Sequence, residues 1–349
     1  MTSAGGRWVV VGRKDELSHG GSLRAHYLFR SLVERTEALS MYRPDIRALP
    51  AIVRKPTNML PGANVAAAEL IPGVALPMLR RLLRMRVLDL HDHPVLHAQA
   101  LGLPLPADEA RSQQRLTDAN LAAFERVVVV SDLLGDLANV PPNQRIAIPN
   151  GTDTSLIEPG PWPLRPTIGL ISAAAPGRGI ELLIASARLV RERIPGLELR
   201  LCLSASEPAS RSYLDALRRT LAADSWVEVA PAIAYARLGT FLAGCTVLGV
   251  PHPPGASWDA APPVKLFDSM AAGRPIVATP RTETARILRE TDSGAAAASD
   301  SIEDLANALA TVLAADDRMR ELGANARRAA EGRYDWRILS NALADAMLT

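Results

Sequence analysis

Lys265 stands in the stretch "PPVKLFDSMAAGRPIVATP", Pro262 to Pro280. Of the chain's 39 basic residues only Lys14, Lys55 and Lys265 are lysines, so an arginine-rich sequence uses lysine here, three positions before Asp268. Pro262 and Pro263 suit a helix start, Gly273 suits the cap that ends it, and Pro275 blocks continuation. A helix over about 263–272 is predicted, with Lys265 and Asp268 on one face of its first turns. A helix N-terminus offers free N–H groups and partial positive charge to an anion, and a lysine there works against the dipole. That arrangement makes sense if a diphosphate sits in front of it, since the ammonium is a compact charge on a flexible stem. Asp268, one turn deeper, could accept hydrogen bonds from ribose hydroxyls. The competing reading is an ordinary surface ion pair between Lys265 and Asp268, worth about 0.3 kcal/mol.

Other residues have types suited to chemistry. Gly20 and Gly21 open a helix after "DELSH" and would let backbone N–H groups approach a phosphate or sugar; a plain strand-to-helix turn is the alternative. Arg24, one turn in, could reach an anion or could lie on a solvated helix face. His91, Asp92 and His93 follow the strand "RVLDL". Neighbouring strand residues point to opposite faces, so His91 and His93 could share a direction, but no third metal ligand is evident. "LPMLRRLLRMR", residues 76 to 86, reads either as an amphipathic helix facing a membrane or as a core-packed helix with a basic outer side.

These residues need a scaffold. The 349 residues, nearly half apolar, allow two domains with sizeable cores. No apolar run approaches the roughly 20 residues of a membrane span. "RWVVVGRK" lacks a cleavage pattern, and Cys202 and Cys245 are too few for a disulfide framework. A soluble cytoplasmic protein is the expectation. Residues 1 to 150 carry 18 Lys+Arg and 14 Asp+Glu, and the remainder carries 21 and 23, giving balances of +4 and −2. That is too weak for a nucleic-acid footprint. It is compatible with an anionic small molecule, or with a membrane surface near the first half.

The second half alternates strands ("PTIGLIS", "LELRLCL", "WVEVA", "TVLGVP", "PIVAT") with helical stretches. The first half does so more loosely ("RWVVVG", "MRVLDLH", "RVVVVS", "RIAIPN"). Alternation of this kind predicts parallel sheets with right-handed crossovers. The Pro-rich "IEPGPWPLRP", 157 to 166, reads as a linker. Two doubly wound α/β domains are predicted, at 1–156 and 167–330, binding a ligand in the cleft at their strand carboxyl ends, with a closing segment at 331–349. No G-x-G-x-x-G follows either opening strand, which weakens a dinucleotide reading.

"PPVKLFDSMAAGRPIVA" resembles the nucleotide-binding signature of GT-B glycosyltransferases of the GT4 type (glycosyl transferases group 1), with Asp268 where that family usually has glutamate. Further stretches match in order: "HGGSLRAHYLFRSL", "DLHDH", "VVVVSDLL", "IPNGTD", "PGRGIELLIASARLV" and "YDWRILSNAL". The resemblance implies a GT-B fold, two Rossmann-like domains facing across a cleft, with the C-terminal helix crossing back to the first. It implies a retaining, metal-independent transfer from a nucleoside-diphosphate sugar to a hydroxyl acceptor, with no cofactor besides that co-substrate. Lys265, Arg178 and His91 take the catalytic positions. Gly20, Gly21, Arg24, Asn150, Gly151, Pro263, Val264, Leu266 and Asp268 take the binding positions. Counting eight back from Asp268 reaches Ala260, with Asp259 beside it, so the family's first acid is absent or displaced. That departure keeps a second reading open, a degenerate partner or activator of another transferase. An epimerase or a phosphorylase on the same scaffold is a third.

Overall fold

A computed structural model of the chain describes residues 7–12, 20–36, 38–41 and 62–349. Lys14 and Lys55, and the "DELSH" segment before Gly20, lie outside the described residues. The chain divides into two compact units: Met1–Leu96 with Leu105–Asn150 and Trp336–Thr349, and His97–Pro104 with Gly151–Asp335.

The first unit holds β1 (Trp8–Val11), β2 (Ala38–Met41), β3 (Asn64–Ala67), β4 (Arg84–Leu90), β5 (Arg126–Val129) and β6 (Arg145–Ala147). They form one parallel sheet in the order β2-β1-β3-β4-β5-β6. The second holds β7 (Thr167–Ala173), β8 (Glu198–Ser204), β9 (Val227–Ala230), β10 (Val247–Val250), β11 (Ile276–Ala278) and β12 (Gly294–Ala296), parallel in the order β12-β11-β10-β7-β8-β9. Strands such as "WVVV" and "VLGV" are buried along their whole length, as a sheet covered on both faces requires. Each unit has its own apolar core. The predicted parallel α/β architecture is therefore present in both.

The boundaries differ from the sequence reading, since 151–156 and 331–335 fall in the second unit. His97–Pro104 belongs with the second unit, where Trp258 Nε1 donates to Ala100 O at 3.1 Å. The Pro-rich 157–166 is also part of that unit. Arg274 Nη2 donates to Gly160 O at 2.9 Å and Pro161 O at 2.7 Å, and its guanidinium lies 4.3 Å from the Trp162 ring centre. The helix Trp336–Leu348 belongs to the first unit: Trp336 stacks on Tyr27 and Ser31 N donates to Ser340 Oγ at 2.7 Å. The helix Leu76–Leu82 turns Leu76 and Leu79 into the first core and leaves Arg80 and Arg81 exposed. Leu76 and Leu79 are thus core-packed, while Leu82 is exposed. No helix among the described residues is long and apolar enough to cross a membrane.

Candidate functional site

In the second unit the strand order reverses between β7 and β10, and doubly wound sheets bind ligands outside the strand ends at such a point. The loop after β7 carries Arg178 between two glycines held in left-handed conformations, Gly177 at φ +72° and Gly179 at φ +73°. A side chain at Gly179 would start 1.6 Å from Pro251 O, and one at Gly177 would start 2.8 Å from the Leu101 backbone. The tight "PGRG" turn brings Arg178 to the start of the helix Ile180–Arg193 and over the Trp258 ring, 5.0 Å from its centre.

Lys265 is the second residue of the helix Val264–Ala271. Its end follows the predicted design. Gly273 has φ +64°, Gly273 N bonds to Met270 O and Arg274 N to Ser269 O, the paired bonds of a Schellman cap. Lys265 Nζ lies 3.4 Å from Ser172 Oγ on β7. Burial, with the Arg178 charge added to it, pushes the Lys265 ammonium down to about 7. No carboxylate among the described residues pairs with it, so the surface ion pair with Asp268 is not made.

Asp268 turns inward. It is 4 % exposed, and its Oδ1 accepts from Thr152 Oγ1 at 2.9 Å and from the Tyr235 hydroxyl at 3.0 Å. Burial pushes its carboxyl up to about 7, against the two hydroxyls that favour the charged form and with the nearby Asp153 adding to the rise. Through Oδ1 the carboxylate expected to hold ribose hydroxyls ties its helix to Thr152 and Tyr235. Of the other candidates on this segment, Pro263 precedes the helix and Val264 begins it. Leu266 is fully buried in the core, its amide bonded to Pro263 O. Asp259 accepts from Thr282 N at 3.0 Å and lies 3.8 Å from Arg281 Nη1, capping the helix Thr282–Thr291, while Ala260 is fully buried. Asp259 is thus engaged at the start of that helix.

The first unit gathers a different cluster. Gly20 and Gly21 open the helix Gly20–Tyr27, and Arg24 lies on it. Arg24 is fully buried and does not lie on a solvated helix face. It bonds Asp89 through Nε and Nη2, Pro149 O and Asn150 Oδ1 through Nη1, and Ile148 O through Nη2. Asn150 is thereby engaged inside the unit, whereas Gly151, also buried, begins the second. His91 follows β4 with Nδ1 3.2 Å from Asp89 Oδ2. His93 instead faces Gln114 and Asp118, and burial pushes its pKa down. The two histidines do not converge. Asp89, Ser172 and Trp258 were missed in the sequence. Asp89 had a signal, since it lies two residues from His91 and shares its strand face.

Residues 165–315 match the family Glycosyl transferases group 1. Among solved structures, sucrose-phosphate synthase from Thermosynechococcus elongatus superposes with a TM-score of 0.73 at 17% identity, covering 97% of both chains. HepE of Anabaena, solved in complex with UDP-glucose, gives 0.73 at 15% identity over 98% of this chain and 99% of that one. The fold is GT-B. The segment that matches the group 1 family lies in its second unit. An MMP α-(1→4)-mannosyltransferase of Mycolicibacterium hassiacum is 30% identical over 222 residues, 60% of this chain. The match spans about half the length of that curated relative.

Proposed function

We propose that this GT-B protein is a retaining, metal-independent glycosyltransferase that moves a sugar from a nucleoside-diphosphate sugar to a hydroxyl acceptor. The observation that carries the proposal is Lys265: an amine with no carboxylate partner among the described residues, 3.4 Å from Ser172 on β7, beside Arg178 and near the start of the helix Val264–Ala271. The group 1 match and the UDP-glucose complex of a structural neighbour support the donor class. When the bond from the anomeric carbon to the diphosphate oxygen breaks, negative charge builds on the β-phosphate. Lys265, Arg178 and the helix N-terminus meet that charge where other enzymes use a divalent ion. The acceptor oxygen forms the new glycosidic bond on the face being vacated, and its proton passes to the departing phosphate.

Incubation with a panel of nucleoside-diphosphate sugars should release nucleoside diphosphate in an acceptor-dependent way, undiminished by EDTA. Abolition by EDTA with rescue by Mn²⁺ would contradict the metal-free reading. The buried Ala260 and the capping role of Asp259 favour one second reading, a non-catalytic partner of another transferase. Diphosphate binding with no turnover of any donor would select it.

The position of Lys265 also implies proton uptake. A lysine held down to about 7 is roughly nine-tenths neutral at pH 8, and a bound diphosphate favours its charged form. Binding at pH 8 should therefore take up close to one proton per site. Calorimetry in two buffers of different ionisation enthalpy reads this directly. The Lys265→Ala chain should lose the buffer dependence, and identical heats for the parent chain in both buffers would refute the uptake.

A further inference from the structure

We propose that Asp89 and Arg24 are positioning residues that hold His91 with Nδ1–H on Asp89 and Nε2 turned outward toward the ligand. This inference rests on the transferase reading only for what the ligand is. The geometry stands by itself. Asp89 is 2 % exposed and Arg24 is fully buried. Arg24 Nε lies 3.0 and 2.9 Å from the two Asp89 oxygens, and Nη2 lies 2.8 Å from Oδ1. A guanidinium has five N–H donors and no acceptor. Here Nε and one Nη2 hydrogen go to Asp89, and the other three go to Ile148 O, Pro149 O and Asn150 Oδ1. The clamp is saturated, which fixes the carboxylate in position and keeps it charged.

An ionised carboxylate only accepts. Asp89 Oδ2, 3.2 Å from His91 Nδ1, must therefore take a proton held on Nδ1. The other nitrogen is then the free one: Nε2 carries the lone pair in the neutral ring and an N–H in the imidazolium. The His91 side chain is 23% exposed, so Nε2 can serve a ligand in either state, accepting from a hydroxyl or donating to an anionic oxygen. The charges facing the ring are Asp89 and Asp92 on its own segment and Arg24 on the helix Gly20–Tyr27. Burial opposes the charged ring and Arg24 opposes it further, but the Asp89 hydrogen bond and the two carboxylates prevail, so its pKa is raised above the usual 6.5. Neither Arg24 nor Asn150 needs to touch the ligand in this arrangement. They reach it through Asp89 and His91.

The test is nitrogen NMR on the ¹⁵N-labelled full chain, with the His91 signals assigned by their loss in His91→Gln. The expected result is an Nδ1–H tautomer for neutral His91 and a titration midpoint above that of an ordinary histidine. In Asp89→Asn the midpoint should fall by at least one pH unit, a tenfold change in the proton equilibrium. An Nε2–H tautomer in the parent chain would overturn the proposal, and this arm needs no variant to fold. An unchanged midpoint in a folded Asp89→Asn chain would overturn it as well. Nucleoside diphosphate binding, measured on the same samples, reports the Lys265 site of the second unit. Its loss from the parent chain would count against the transferase reading and leave the His91 result standing.

Discussion

Turnover of the nucleotide sugar should fall about a hundredfold when Lys265 is replaced by alanine, the loss typical of removing one group that stabilises a developing oxyanion. Lys265 Nζ sits with Ser172 and no carboxylate, next to Arg178. No carboxylate among the described residues pairs with it, so the charge it gains on binding is available to a ligand. The same position is unfavourable to the ligand-free fold. The folded-state pKa is depressed from 10.5 to about 7, so the destabilisation is absent above 10.5, grows as pH falls, and is complete below 7. Lys265→Met should raise the melting temperature of the empty protein, by the equivalent of about 1–3 kcal/mol after allowance for partial exposure. The gain should be larger at pH 7 than at pH 10. A Lys265→Ala chain that folds and turns over normally would remove Lys265 from the chemistry, and a melting gain that does not vary with pH would refute its desolvation.

Arg24→Met should unfold the first unit more readily by about 3–5 kcal/mol, the cost of leaving a buried charge without its partner. Asp89 would remain among apolar neighbours with only His91 for company, and the carbonyls of Ile148 and Pro149 would each lose a donor. Adding Asp89→Leu to Arg24→Met should restore much of the loss, because the two sites share one network and their effects are not additive. A decrease below about 1 kcal/mol in Arg24→Met, followed by denaturant unfolding, would mean that the clamp contributes little.

Lys265 and its helix were legible because local chemistry fixes them. Prolines start the helix, Gly273 supplies the positive φ that a Schellman cap needs, and the buried strands around them read as continuous apolar runs. Arg24 was read as reaching a ligand because its partners Asp89, Ile148, Pro149 and Asn150 lie 65 to 126 residues away. Helical spacing places Arg24 on a face but cannot say what covers that face. The contacts of Asp268 were hidden for the same reason: Thr152 and Tyr235 come from separate segments, and no spacing within the helix shows that their hydroxyls meet Oδ1. The contacts of His97–Pro104 with the second unit include a hydrogen bond from Trp258, ring packing with His97 and the close approach of Gly177 to the Leu101 backbone. No periodicity within either segment carries that information.

The account stands most directly on whether the second unit holds a nucleoside diphosphate. Calorimetric titration of the full chain at pH 8 with uridine, guanosine and adenosine diphosphates, and with the corresponding nucleosides, measures it. At least one diphosphate is predicted to bind at one site per chain, while its nucleoside binds far more weakly, since Lys265 and Arg178 act on the phosphates. No binding of any diphosphate, or binding equally strong for the bare nucleoside, would contradict the account.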